Sequence, residues 1–436
     1  MNILNQPHRL LLPPVLTGIL RRVAVFQVCV TVGYEIIFVL GTLSAQKLTG
    51  TDRVFGVATI TVFALGQLAI ALPVGKLMDK YGRRPVLLLG SLLETGALVL
   101  MGIALFAGSS VWFCLGLLLP GLGSGAAQMA FLVGGDIYPP NRKAEGLGLM
   151  TGYISIGIVG GPYLVGLLYD VTSGIGWDPL IAPWFCISLL TALASWLMVG
   201  LRPEPLEVVR NHQQYYPNLH DPAAVDGAEP YLVRSAGALI MHFPIFASVG
   251  IMICFQGVRM SFVPLLTLIL DAGGHPLSLS SLMVAAMGLG MVLSSSIIGR
   301  IGDKWGRKKS LLLAVAIGSI CAIFIPRVSS LIGLFLLLVA LGVAFSTALT
   351  MTRVMITDAA NSRERGTAMA LNSIAIGIAV VLFPTISSYV LSLRGWPAIA
   401  WVGILLMVVA LTLLLFYRDA GMGKRDTPGD MKANER

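Results

Sequence analysis

The sequence predicts an all-α membrane protein, with 12 transmembrane helices in two pseudo-symmetric six-helix bundles around a central cavity. Three observations carry this. Of 436 residues, 56% are hydrophobic and only 12% are charged, which leaves too little polar surface to cover a soluble particle. Twelve apolar stretches of about 20 residues can be marked, each long enough to cross roughly 30 Å of hydrocarbon as a helix. The segment GKLMDKYGRRP, Gly75 to Pro85, returns as GRIGDKWGRKK, Gly299 to Lys309, each between apolar runs. Such a repeat marks two related halves.

The first span begins near Val23, after Arg21 and Arg22. It runs as long as the others and lacks a small-residue cleavage site, so it reads as an anchor and not a cleaved signal. The other spans of the first half begin near Val54, Pro85, Val111, Gly146 and Ile181; those of the second begin near Phe243, Ser280, Ser310, Leu331, Thr367 and Trp396. Strands are excluded because the runs are continuously apolar and do not alternate. The organisation expected is an N-terminal segment (1–22), a first bundle (23–201), a linker (202–235), a second bundle (236–417) and a tail (418–436). The linker mixes Pro, His, Gln, Asp and Glu without an apolar stripe, although LRPEPLEVV suits a short amphipathic piece on the membrane surface. The Gly-, Lys- and Asp-rich tail reads as disordered.

Cations sort the loops into two sides. Arg21, Arg22, Lys76, Lys80, Arg83, Arg84, Arg142, Lys143, Arg202, Arg300, Lys304, Arg307, Lys308, Lys309, Arg363 and Arg365 fall on one side, while the other has only Lys47, Arg53, Arg327 and Arg394. Both termini are therefore expected in the cytoplasm, with the chain spanning the plasma membrane. The net charge of +9 is a topology signal, and nucleic-acid binding is not needed to explain it. The five cysteines fall in five different spans with no metal-ligand spacing, so no metal or cofactor is expected. Absence of a phosphate loop or a nucleophile constellation argues against an enzyme.

The two loops share Gly, Asp, Gly and Arg at equal offsets: Gly75, Asp79, Gly82 and Arg83 against Gly299, Asp303, Gly306 and Arg307. The fourth span is followed by DIYPPNRKAEG from Asp136, the tenth by DAANSRERG from Asp358, and the fifth contains GIVGGPYLVG with Gly157, Gly161, Pro162 and Gly166. Together these resemble the major facilitator superfamily, in its drug and metabolite:proton antiporter branch. The match departs at Val165, where a glycine is usual in the antiporter-like motif, and at Leu117, where a membrane arginine is usual ahead of Gly121, Gly123 and Gly125. The resemblance implies a cytoplasmic gate in which Asp79 faces the start of the eleventh helix, Arg83 pairs with Asp136, and Asp303, Arg307 and Asp358 repeat the arrangement. Lys80, Arg84, Lys308 and Lys309 are read as topology signals only. The fifth span is implied to hold the halves together, as in exporters that exchange substrate for protons.

Ionisable groups at membrane depth cost on the order of 2.5 to 3.5 kcal/mol each on insertion scales and need a partner or water. Glu35 stands mid-span, and Gln27, Thr31, Glu35, Phe38 and Thr42 share a helical face, with Tyr34 adjacent. In the seventh span Ser248, Met252, Gln256, Arg259 and Thr267 form a similar stripe. The resemblance puts both helices beside the pathway, so Glu35 and Arg259 are expected to face each other there, as a proton site or as a packing ion pair. Glu94 in the third span either bonds a neighbouring helix or joins the proton path; Arg353 belongs either to the gate or to the ligand site. Gln67, Gln128 and Tyr153 are candidate pore-lining residues. The function expected is secondary active transport by alternating access: proton-coupled efflux of a small amphipathic molecule, by a monomer. The alternatives are a proton symporter for a small organic anion or sugar, and a non-transporting membrane receptor.

Overall fold

The computed structural model describes residues 13–50, 53–138, 143–210, 212–216, 236–360 and 365–417, and no strand occurs among them. The first half comprises α1 (Pro14–Thr49), α2 (Arg53–Tyr81), α3 (Arg83–Phe106), α4 (Ser110–Ile137), α5 (Lys143–Gly174) and α6 (Ala182–Val199). The second comprises α7 (Phe243–Ala272), α8 (Leu277–Trp305), α9 (Arg307–Phe324), α10 (Leu331–Ala359), α11 (Arg365–Arg394) and α12 (Trp396–Phe416). Ten of these are long and apolar enough to cross a bilayer. The other two occupy the second and ninth places: α2 contributes a shorter apolar helix, Ile60–Ala71, among its described residues, and α9 opens on Arg307, Lys308 and Lys309. Outward-facing Leu89, Trp196, Leu336, Trp401 and Leu405 make an apolar exterior suited to lipid.

α1 starts at Pro14, before the expected Val23 and within the segment read as a separate N-terminus. Leu16, Ile19, Leu20 and Val23 form a buried stripe that carries the helix through Arg21 and Arg22, and Arg22 reaches the carbonyl of Gly200 at the end of α6. α4 is broken: helix from Ser110 to Gly116, helix from Leu118 to Ala127, one 3₁₀ turn from Gln128 to Ala130, and helix again to Ile137. A 3₁₀ turn inside a membrane helix redirects side chains, and this one presents Gln128 to the centre of the molecule.

Close approach explains the repeated packing. A Cβ on Gly66 or Gly121 would overlap the backbone carbonyl of Leu118 or Phe63, joining α2 to α4; Gly290 and Gly342 do the same against Val339 and Met287, joining α8 to α10. Membrane helices use small residues this way because lipid offers no hydrophobic drive to association.

Both repeated loops lie at one end of the bundle, here termed the loop end. Gly82 (φ 95°) precedes α3 and Gly306 (φ 87°) precedes α9, so both need a left-handed conformation that an L side chain rarely adopts. That is why glycine recurs at this offset. Two of the cations expected to serve only topology, Arg84 and Lys308, hold helix ends. Arg84 donates to the carbonyls of Met198 (3.2 Å) and Val199 (2.7 Å), ending α6. Lys308 donates to those of Leu415 (3.1 Å) and Tyr417 (2.7 Å), ending α12. Free carbonyls at a helix C-terminus favour a cation.

The start of the linker, LRPEPLEVV, is held by the first half. Glu204 Oε1 accepts the backbone N–H groups of Arg83 (2.5 Å) and Arg84 (3.2 Å), capping α3. The short helix Pro205–Arg210 buries Val208, and the Tyr216 hydroxyl donates to the Ile137 carbonyl at 2.9 Å. LRPEPLEVV therefore packs on the first half, because its apolar residues find protein there and its carboxylate finds unpaired N–H groups.

Candidate functional site

Between the halves lies a cavity of about 180 Å³. α1 supplies Thr31 and Tyr34, α2 Gln67, α4 Gln128, α7 Gln256 and Arg259, and α10 Phe345 and Arg353. It extends from the level of Arg259 toward the loop end, reaching Ala71, Phe131 and Arg353. At the other end α2 and α11 meet, with the hydroxyls of Thr61 and Thr385 2.8 Å apart.

At the inner limit of the cavity, Arg259 Nη2 donates to Glu35 Oε1 at 2.9 Å. Glu35 is fully buried, and its second oxygen, Oε2, has no partner among the described residues; neither does Arg259 Nε. The guanidinium also lies over Phe38 and Phe345, 5.7 Å from each ring, a favourable cation–π geometry. Phe38 thus braces Arg259 from behind, packed against Tyr34 and Phe63 and away from the cavity wall.

The fifth-span glycines back this pair. A Cβ on Gly161 would fall 2.7 Å from Glu35 Cβ, and one on Gly157 would fall 2.5 Å from Thr31 Cβ, so α5 meets α1 on its polar face. Gly166 turns elsewhere, toward Ser278 and Ser281 of α8, and Gly288 of α8 abuts Val159. One helix therefore touches both the first-half carboxylate and the second half. Pro162 lies inside α5 and Pro384 inside α11.

On α1 a hydrogen-bonded cluster continues toward the loop end: the Gln27 amide donates to Gln128 Oε1 at 2.8 Å and to Thr31 Oγ1 at 3.3 Å. On α10, Arg353 donates to Thr151 Oγ1 of α5 at 3.2 Å and stacks on Phe131 of α4 at 5.4 Å. It belongs to the cavity wall. Gln256 is in the wall as well, with Oε1 unpartnered, whereas Ser248, Met252 and Thr267 from the same stripe bond or pack within protein. Tyr153 lies off the wall.

Glu94 sits apart from the cavity. It is fully buried between α3, α1 and α6, a Cβ on Gly33 would meet its Oε1 at 2.6 Å, and neither oxygen has a partner among the described residues. Hydroxyl pairs Thr95–Thr191 and Ser91–Ser195, each at 2.9 Å, run along the same α3–α6 seam.

At the loop end, Arg83 Nε binds Asp136 Oδ2 at 2.9 Å and Arg307 Nη2 binds Asp358 Oδ2 at 3.0 Å. The first pair is 12% and 20% exposed, the second 31% and 54%. Gly75, Asp79, Gly299 and Asp303 lie in helical backbone, but their surroundings fall outside the described residues. At the opposite end Lys47 binds Asp178. Partial burial raises the Asp178 carboxyl, but its bonds from Lys47 and from the backbone N–H groups of Leu180 and Ile181 outweigh this and hold it below its ordinary value of 3.8.

Two helical halves enclosing a central polar cavity, with mirrored loops at one end, define a multi-pass membrane carrier. The family model of the Major Facilitator Superfamily matches residues 23–268 and 248–434. The chain belongs to that superfamily, whose members are transporters and not enzymes. It is 26% identical to the riboflavin transporter RfnT of Brucella anthropi over 87% of this chain and 90% of that one. With the multi-drug resistance efflux pump PmrA homolog of Lactococcus lactis it shares 26% over 58% of each. Among solved structures, the human organic anion transporter MFSD10 (TETRAN) matches with a TM-score of 0.67, covering 92% of this chain and 100% of that one at 18% identity.

Proposed function

We propose that this transporter is a proton-coupled antiporter exporting a small amphipathic molecule by alternating access, with its loop end and both termini in the cytoplasm. The observation that carries the reading is the Glu35–Arg259 pair. It joins the two halves, it borders the cavity, and Glu35 keeps one oxygen without a partner. An ionised Glu35 holds Arg259 and ties α1 to α7. A proton taken up at Oε2 cancels that attraction, so the guanidinium is released and the halves are free to reorient. Substrate entering beside Arg259 competes for the same charge, which links the two flows. The membrane potential contributes about 2.3 kcal/mol per charge per 100 mV, roughly a fiftyfold gradient.

Support for export comes from Gly157 and Gly161, which place α5 directly behind Thr31 and Glu35, and from the efflux-pump relative. Arg353 on the cavity wall favours a second reading, proton symport of a small organic anion.

Purified protein in liposomes enclosing a pH dye, with a panel of amphipathic drugs, sugars and organic acids, tests the proposal. Antiport moves protons opposite to the substrate; symport moves them with it. Substrate flux without any proton movement would contradict both readings.

A further inference from the structure

The coupling cycle leaves one charge in the cavity unused. Arg259 and Arg353 both contribute to the wall, and among the described residues no carboxylate does. Arg259 is matched by Glu35 behind the wall. Arg353 has no such match: its contacts among the described residues are the Thr151 hydroxyl and the Phe131 ring. A guanidinium carries five N–H donors in a planar fork suited to carboxylate or sulfonate, and among the described residues one hydrogen bond is made, to Thr151. Phe131 lies under the guanidinium, and the same cavity wall carries the apolar side chains of Phe345 and Leu349 together with the amides of Gln67 and Gln128.

An uncompensated cation inside a membrane protein marks a ligand site, since burial penalises it until a counter-charge arrives. We infer that the cavity binds organic monoanions with a flat apolar body, the anionic group on Arg353 and the body against Phe345 and Leu349. This rests on the central cavity being the substrate site, and not on proton coupling. Exporting an anion against an entering proton moves two charges in the same electrical direction, so an inside-negative potential assists both.

Three matched probes separate the charge from the body: 2-naphthoate, 2-naphthamide and 2-naphthylmethylamine, titrated calorimetrically into the purified full chain at neutral pH. Naphthoate is expected to bind about tenfold or more tighter than the amide, and the ammonium more weakly than either. Arg353→Gln should shrink the preference for naphthoate to about twofold or less, and Arg353→Lys should retain part of it, because a point charge lacks the fork. The inference is overturned if naphthoate fails to bind at millimolar concentration, if the amide or ammonium binds as tightly, or if Arg353→Gln keeps the preference. The wild-type comparison decides even if the glutamine variant fails to fold. Equilibrium binding needs no gradient. Loss of the anion preference with coupling intact removes only this inference, whereas an anion preference without coupling removes only the antiport reading.

Discussion

Glu35 and Glu94 are both fully buried carboxyls of the first half, each backed by a glycine of a neighbouring helix, yet their company differs. Glu35 meets Gly161 of α5 behind it and Arg259 of the other half before it. Glu94 meets Gly33 of α1 and an α3–α6 seam of hydroxyls, with no cation among the described residues and away from the central cavity. Burial is shared, so burial cannot be what makes a coupling site. On the proposed reading, its partner on the other half, Arg259, is what makes Glu35 and not Glu94 the coupling site.

Breaking the pair should give the largest effect. Removing one member of a buried ion pair leaves an uncompensated charge and costs about 3–5 kcal/mol, so Arg259→Gln is expected to lower the thermal midpoint of the purified protein strongly. The double variant Glu35→Gln/Arg259→Gln should recover much of that loss. If the double is as unstable as the sum of the singles, the two residues are not coupled.

Crowding the glycines sharpens the contrast. Added methyl groups in well-packed sites cost about 1–3 kcal/mol. Gly161→Ala would press on Glu35 and should slow transport and weaken its coupling. Gly33→Ala would press on Glu94 and Thr191 and should lower stability to a similar degree while the protons moved per substrate stay constant. Equal loss of coupling in both would dissolve the distinction.

The loop pairs offer the same lesson in milder form. Arg83→Ala removes a largely buried pair whose backbone Glu204 also holds, and should destabilise more than Arg307→Ala, whose half-exposed pair is expected to contribute about 0–1 kcal/mol. Thermal unfolding of both variants checks the order. Smallest of all is Lys47–Asp178. Because the folded carboxyl is depressed, its contribution is present above the ordinary Asp value and fades as pH falls through the lower folded value. Asp178→Asn should therefore cost a little stability at neutral pH, and its difference from the wild type should vanish as pH falls below the lowered Asp178 value.

Much of the architecture was legible because bilayer thickness dictates span length and the loop repeat dictates the two halves. The Glu35–Arg259 encounter was legible from matching polar stripes on α1 and α7 together with the family resemblance, which puts both helices beside the pathway. Periodicity states which residues share a face, but not which helix meets that face. α1 is buried almost all round, so Phe38, on the same stripe as Glu35, turned out to brace Arg259 from behind the wall. Glu94 was ambiguous for the same reason. The capping roles of Arg84, Lys308 and Glu204 depend on where distant helix ends fall, which no local pattern encodes. Thr151 and Phe131, the partners of Arg353, gave no sequence signal at all.

The most direct measurement is substrate-driven proton movement in liposomes containing wild type, Glu35→Gln or Glu94→Gln. The account predicts that the wild type and Glu94→Gln move protons against the substrate and that Glu35→Gln moves none. Coupling retained in Glu35→Gln, or lost in Glu94→Gln alone, would contradict it.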